Sequence, residues 1–119
     1  MGKYHDDLSD RENLVTIIQA CDTIRDYIRD MDEDDFRTDQ KTRDACLAQW
    51  IVIGERVAKL SDKIKEKNSD VPWKLIVGFK NRGSHSYGTR NFDNDMMWHT
   101  VKEDATFIRK RCNEILRTL

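Results

Sequence analysis

Proline occurs once in these 119 residues, at Pro72, and glycine only five times. Turn-dense all-β folds need more of both, so long uninterrupted elements are expected. Long apolar runs are missing too: none approaches the ~20 residues that span a bilayer. The N-terminal stretch MGKYHDDLSD has no apolar signal core, so a cytoplasmic protein without membrane association is expected. The cysteines, Cys21, Cys46 and Cys112, are odd in number and form no CxxC pair, which leaves zinc and redox motifs unsupported. All three fall on apolar stripes and read as buried, reduced thiols. Neither charge sign is in surplus: 21 Lys and Arg face 22 Asp and Glu, a formal net of −1. A globally basic nucleic-acid binder is excluded, and any anion binding must come from a local patch.

The chain does have helical periodicity, in three long segments. Leu14, Ile17, Cys21, Ile24, Ile28 and Met31 form the first stripe, with Ser9 or Asp10 as its expected N-cap. Cys46, Trp50, Ile53, Val57, Leu60 and Ile64 form the second, with Thr38 or Asp39 as cap. Trp98, Val101, Ala105, Ile108, Cys112, Ile115 and Leu119 form the third, beginning after Asp93 or Asp95. A shorter helix follows Pro72, with Ser69 or Asp70 as cap and Trp73, Ile76, Val77 and Phe79 as its apolar face. Strand-like alternation of useful length is absent. The expected fold is a single all-α domain over 1–119, an antiparallel up-down bundle of three long helices and one shorter helix. The acidic run Asp30 to Asp35 lacks the Gly and Glu positions of an EF-hand loop. It reads as a solvated turn that ends the first helix, because carboxylates oppose the dipole at a helix C-terminus.

One further absence is local. From Trp73 to Phe92 there is no acidic residue, while Lys74, Lys80, Arg82 and Arg90 are basic. This window, punctuated by Gly78, Gly83 and Gly88, holds His85. His5 lies in a polar segment and reads as solvated; His99, beside Trp98, reads as structural. Asn81 and His85 are four apart and share a face if the helix persists. An imidazole that titrates near neutrality can move protons while fixed cations stabilise phosphorane charge. Carboxylates would repel a phosphodiester, and a loose glycine-rich chain would let one approach the backbone. The plainer reading is a glycine-rich turn whose histidine caps a helix.

The segment VPWKLIVGFKNRGSHSY resembles the signature of HepT-like proteins of the HEPN superfamily: Pro-Trp, an apolar turn, Arg-Asn, then His, any residue, Tyr. The likeness extends upstream to Phe36, Asp39, Ala45 and Ile53-Gly54-Glu55, and downstream to Trp98, Val101 and Asp104. It covers nearly the whole chain. The resemblance implies a HEPN-like helical bundle acting without cofactor, a metal-independent endoribonuclease toxin of a two-gene toxin–antitoxin module. His85 would transfer a proton as a ribose 2′-OH attacks the adjacent phosphate, and Asn81 would position substrate or histidine. Tyr87 matches the tyrosine that a nucleotidyltransferase antitoxin modifies with AMP, repelling RNA phosphate.

The motif arginine is replaced by Lys80, which keeps charge but loses the planar fork. Arg82 or Arg90 would compensate as phosphate-binding groups. The alternative reading is a catalytically weakened or inactive partner subunit of the nucleotidyltransferase. A homodimer is expected: one histidine does not easily act as both base and acid, and Trp50, Trp73 and Trp98 are more than a small bundle readily buries.

Overall fold

The computed structural model describes residues 3–90 and 92–119, with side chains from Ser9 onward. The chain order is α1 (Lys3–Tyr27), α2 (Glu33–Arg37), α3 (Gln40–Lys59), α4 (Asp62–Lys67), α5 (Trp73–Ser86) and α6 (Asn94–His99). A π-helical turn (Thr100–Asp104) then joins α6 to α7 (Ala105–Arg117). Among the described residues there is no strand, and the fold is an all-α bundle. Helix α1 packs against α3 and α7, and α3 also packs against α5. The three apolar stripes meet there: Leu14, Ile17 and Ile24 from α1, Cys46, Trp50, Ile53 and Val57 from α3, and Ile108, Cys112 and Ile115 from α7 are buried. No helix among the described residues is long and apolar enough to cross a membrane.

The cysteines are free and buried as expected; burial pushes all three thiols up to about 12. Trp50 and Trp73 are buried within the single chain, and Trp98 is half-buried against Phe36 at 5.2 Å between ring centroids. The tryptophans therefore need no second copy to cover them. His5 lies outside the residues whose side chains are described.

Several helix boundaries differ from expectation, and polar chemistry accounts for each. Neither Ser9 nor Asp10 caps α1, which begins at Lys3. Asp10 is instead only 3% exposed. Its carboxylate accepts hydrogen bonds from Ser61 N at 2.8 Å and Ser61 Oγ at 2.6 Å. Ser61 is extended and N-caps α4 by accepting from Ile64 N. The second stripe is therefore broken into α3 and α4, although Leu60 and Ile64 both stay buried. Asp39 caps α3 as expected, accepting from Thr42 N and Thr42 Oγ1, and those bonds hold its carboxyl below the usual range.

The acidic run is more than a solvated turn. Tyr27 ends α1, Asp30 takes φ 65°, and Asp32 with Asp35 forms a reciprocal capping box that starts α2. Its carboxylates thus sit at a helix N-terminus, where the dipole favours them. Phe36, 1% exposed, anchors that short helix to the core. Ser69 and Asp70 do not cap α5; Pro72 occupies that position without a side-chain cap. Asp70 pairs with Arg111 of α7 through two 3.0 Å contacts.

Asp10→Ala should lower stability by about 1–3 kcal/mol, because it strands the Ser61 donors in a part-buried joint. Ser9→Ala should change it by less than ~0.5 kcal/mol. Urea melts of the two variants check this; equal effects would restore Ser9 and Asp10 as equivalent end residues.

Candidate active site

Helix α5 runs unbroken through the carboxylate-free window to Ser86. The expected loose glycine-rich chain is not there: Gly78 and Gly83 are helical, and only Gly88 takes a positive φ, 85°. Gly83 serves packing instead. A Cβ on it would lie 2.5 Å from Leu47 Cδ1 of α3, closer than real contacts allow. Gly54 of α3 mirrors this, since its Cβ would meet Lys80 Cβ at 2.4 Å and Cγ at 2.6 Å. Each helix therefore offers a bare glycine to a side chain of the other, and α5 is locked in rotation about its axis.

That rotation sorts the sequence-predicted residues. Trp73, Ile76, Phe79 and Gly83 face the core. Asn81 and His85, four apart, are both exposed on the opposite side. Lys80 is half-buried, its stem lying across Gly54 and its Nζ donating to Asn81 Oδ1 at 3.3 Å. Lys80, Asn81 and His85 thus occupy the last two turns of one helix. Arg82 lies about 60° around the axis from His85, with its guanidinium 5.7 Å from the Phe79 ring centroid. Arg90 is exposed beyond the helix end.

Tyr87 is placed differently. It is the C-cap of α5, its N–H donating to Gly83 O. Its ring packs edge-on against Phe92, and its hydroxyl donates to the Asp44 carboxylate of α3. Residues two apart on a helix do not face each other, so Tyr87 turns toward α3 while His85 faces outward. Burial, and then the Asp44 carboxylate, push the Tyr87 phenol up to about 12. It is a protonated donor at neutral pH.

Two residues of this site escaped sequence reasoning. Asp44 sits 43 positions from Tyr87, and nothing in local spacing links them. Arg43 donates to Phe36 O at 3.0 Å, closing the C-terminal end of α2, and lines a polar hollow with Tyr87, Gln40 and Asn94. Ile53-Gly54-Glu55 was legible as a motif, but its physical role is the seat for Lys80.

The all-α bundle, with Asn81 and His85 on one exposed face of α5 and Lys80 at its flank, is consistent with a HEPN-like fold. A family model described as Ribonuclease HepT-like matches residues 17–115, and the chain belongs to that HepT-like ribonuclease family. A protein of Caldanaerobacter subterraneus subsp. tengcongensis, named as a candidate RNase, is 30% identical over 90% of this chain and 94% of its own. One of Methanocaldococcus jannaschii, also named as a candidate RNase, is 30% identical over 82% of this chain and 87% of its own. A probable ribonuclease HepT of Thermococcus cleftensis is 25% identical over 90% and 96%. No solved structure matches.

Gly54→Ala should destabilise the fold by about 1–3 kcal/mol through overpacking against the root of Lys80. Gly78→Ala, whose Cβ would meet only Arg82 Nη1 at 3.5 Å, should stabilise it by up to about 1 kcal/mol. Denaturant melts separate the two, and equal behaviour would remove the glycine seat. In Asp44→Asn the negative charge beside the phenolate is gone, so Tyr87 should titrate lower than in the parent. Burial should still hold it above the ordinary ~10. Tyrosinate absorbance, with Tyr87→Phe as the subtraction, reads the shift; no shift would mean that Asp44 does not act on the phenol.

Proposed function

We propose that this chain is an endoribonuclease that cleaves by internal attack of a ribose 2′-OH, needing no metal. The observation that carries this reading is the unbroken α5, which sets Asn81 and His85 on one exposed face with Lys80 tied to Asn81. The nucleophile is part of the substrate, so the chemistry asks the protein for proton transfer and charge stabilisation. A neutral imidazole takes the 2′-OH proton as the oxygen attacks phosphorus. The P–O5′ bond breaks, and the departing oxygen receives a proton from an imidazolium. The products are a 2′,3′-cyclic phosphate and a free 5′-OH.

One His85 cannot readily fill both roles in a single pass, which favours a homodimer with two His85 side chains facing one cleft. Lys80 supplies positive charge to the phosphate, held by its contact with Asn81, and Arg82 and Arg90 add further charge at the helix end. The RNase names carried by relatives that match over 90% of this chain support the same reading.

In this reading the protein is the toxin of a two-gene module in the cytoplasm, neutralised by a nucleotidyltransferase that transfers AMP to Tyr87. The polar hollow beside Tyr87, lined by Gln40, Arg43 and Asn94, supports that assignment, since Arg43 would face the new phosphate. Tyr87 turns toward α3, so the added group would repel RNA from beside the site instead of occupying the scissile phosphate's place. Lys80 favours a second reading, a partner subunit weakened as a nuclease, because an ammonium cannot grip two phosphate oxygens as a guanidinium does.

Purified protein with EDTA should cleave RNA, and His85→Ala should lose about 100-fold or more of that rate. Lys80→Arg should cleave at least as fast as the parent. Cleavage that survives in His85→Ala would remove the histidine from the chemistry. Silence in all three proteins would turn the assignment to the partner subunit.

A further inference from the structure

A cleft of about 260 Å³ opens between α5 and the segment running from α6 through the π-turn into α7, lined by Trp50, Leu75, Phe79, Arg82, Met96 and Phe107 among others. Five large hydrophobic side chains are notably exposed among the described residues, and three of them line this one cleft: Leu75 at 68%, Met96 at 47% and Phe107 at 42%. Trp50, only 2% exposed, lines it too, and its Nε1–H is buried with no hydrogen-bond partner among the described residues. The other buried indole shows the usual solution, Trp73 Nε1 donating to Asn68 O at 3.1 Å. A buried donor left unpaired costs free energy, and such an exception calls for an explanation.

The polar rim is built by the π-turn. In an α-helix, residues five apart point about 140° away from each other. The i→i+5 register of a π-turn stacks them, and it brings His99 Nε2 to 3.5 Å from Asp104 Oδ1. Both line the cleft. Such single π-turns gather at functional sites. The cleft also continues toward the catalytic face. A smaller hollow sharing Phe79, Arg82 and Met96 with it extends to Ser86, the residue next to His85.

We infer that this cleft is a nucleobase subsite that holds one unstacked base of the RNA beside the scissile phosphate. The assignment rests on the ribonuclease reading above. Its volume falls below the ~300–1,000 Å³ of sites that engulf larger ligands and suits a single flat ring. Phe107, with Met96 and Leu75 beside it, offers exposed aromatic and apolar surface for stacking. A base edge carries amino or imino donors that Asp104 at the rim can accept. Arg82, at the mouth shared by both hollows, pairs with the phosphate that follows the base. The cleft thereby fixes which nucleotide lies next to His85.

The test uses the full chain and the four nucleoside 3′-monophosphates as probes, titrated while the three tryptophan indole N–H resonances are followed by NMR. The Trp50 signal is assigned by its loss in Trp50→Phe. At least one nucleotide should shift the Trp50 resonance saturably while leaving that of Trp73 in place. Phe107→Ala, a change at an exposed position, should weaken that binding about tenfold and raise KM for RNA more than it lowers kcat.

If the parent cleaves RNA but no nucleotide moves Trp50 and Phe107→Ala keeps the parental KM, the subsite is overturned and the ribonuclease reading stands. If Phe107→Ala instead converts a dimer to monomer with no nucleotide shift, a second copy covers the cleft and the inference fails. If nucleotides shift Trp50 in a protein that cleaves nothing, the base site holds and the ribonuclease reading falls.

Discussion

The site depends on how closely α3 and α5 approach. Gly54 of α3 lies beneath the root of Lys80, and Gly83 of α5 lies beneath Leu47, so each helix is notched where the other presses in. Interiors packed at crystal-like density leave no slack for a methyl group at either point. The two notches are on different helices and face opposite ways, so together they fix the rotation of α5 as well as its distance. A turn of one residue, about 100°, would take Phe79 out of the core and put a polar side chain in its place.

Three faces of α5 follow from that rotation. The buried face carries Trp73, Ile76 and Phe79. The outward face carries Asn81 and His85, with Lys80 reaching over to Asn81 from the flank. Between them, Leu75 and Arg82 border the cleft closed on its other side by Met96, His99 and Phe107. Tyr87, at the helix end, is drawn back to α3 by Asp44. The perimeter is stitched by exposed ion pairs such as Arg37–Asp95, each contributing little in water. Apolar burial supplies most of the stability, and the Asp10 carboxylate adds a buried polar contact at the α3–α4 joint.

Much of the architecture was legible from periodicity alone. Steps of three and four place Leu14, Ile17 and Ile24, or Ile108, Cys112 and Ile115, on one stripe whatever they pack against. Asp39 and Asp93 announced their helices because a cap acts on its own next few residues. The errors came where a polar group serves a distant partner. Asp10 accepts from Ser61 across 51 positions, and Asp70 pairs across 41 to Arg111. The α2 capping box was hidden inside an acidic run whose single apolar anchor, Phe36, has no stripe to belong to. The glycines of the window looked like loop punctuation, since composition does not distinguish a flexible glycine from one that yields space to a neighbour.

What the sequence determined by itself was whatever depends on neighbours within a turn or two: helical class, apolar stripes, some local caps, and a carboxylate-free window holding Asn81 and His85. Tertiary structure decided the rest. It carried α5 on as a helix to Ser86, set which glycine admits which side chain, turned Tyr87 toward Asp44, brought His99 and Asp104 together across a π-turn, and left the Trp50 N–H buried without a partner among the described residues. The physical reason is range. Helix periodicity and capping are local properties of the backbone, whereas notches, clefts and unpaired donors exist only where two elements meet.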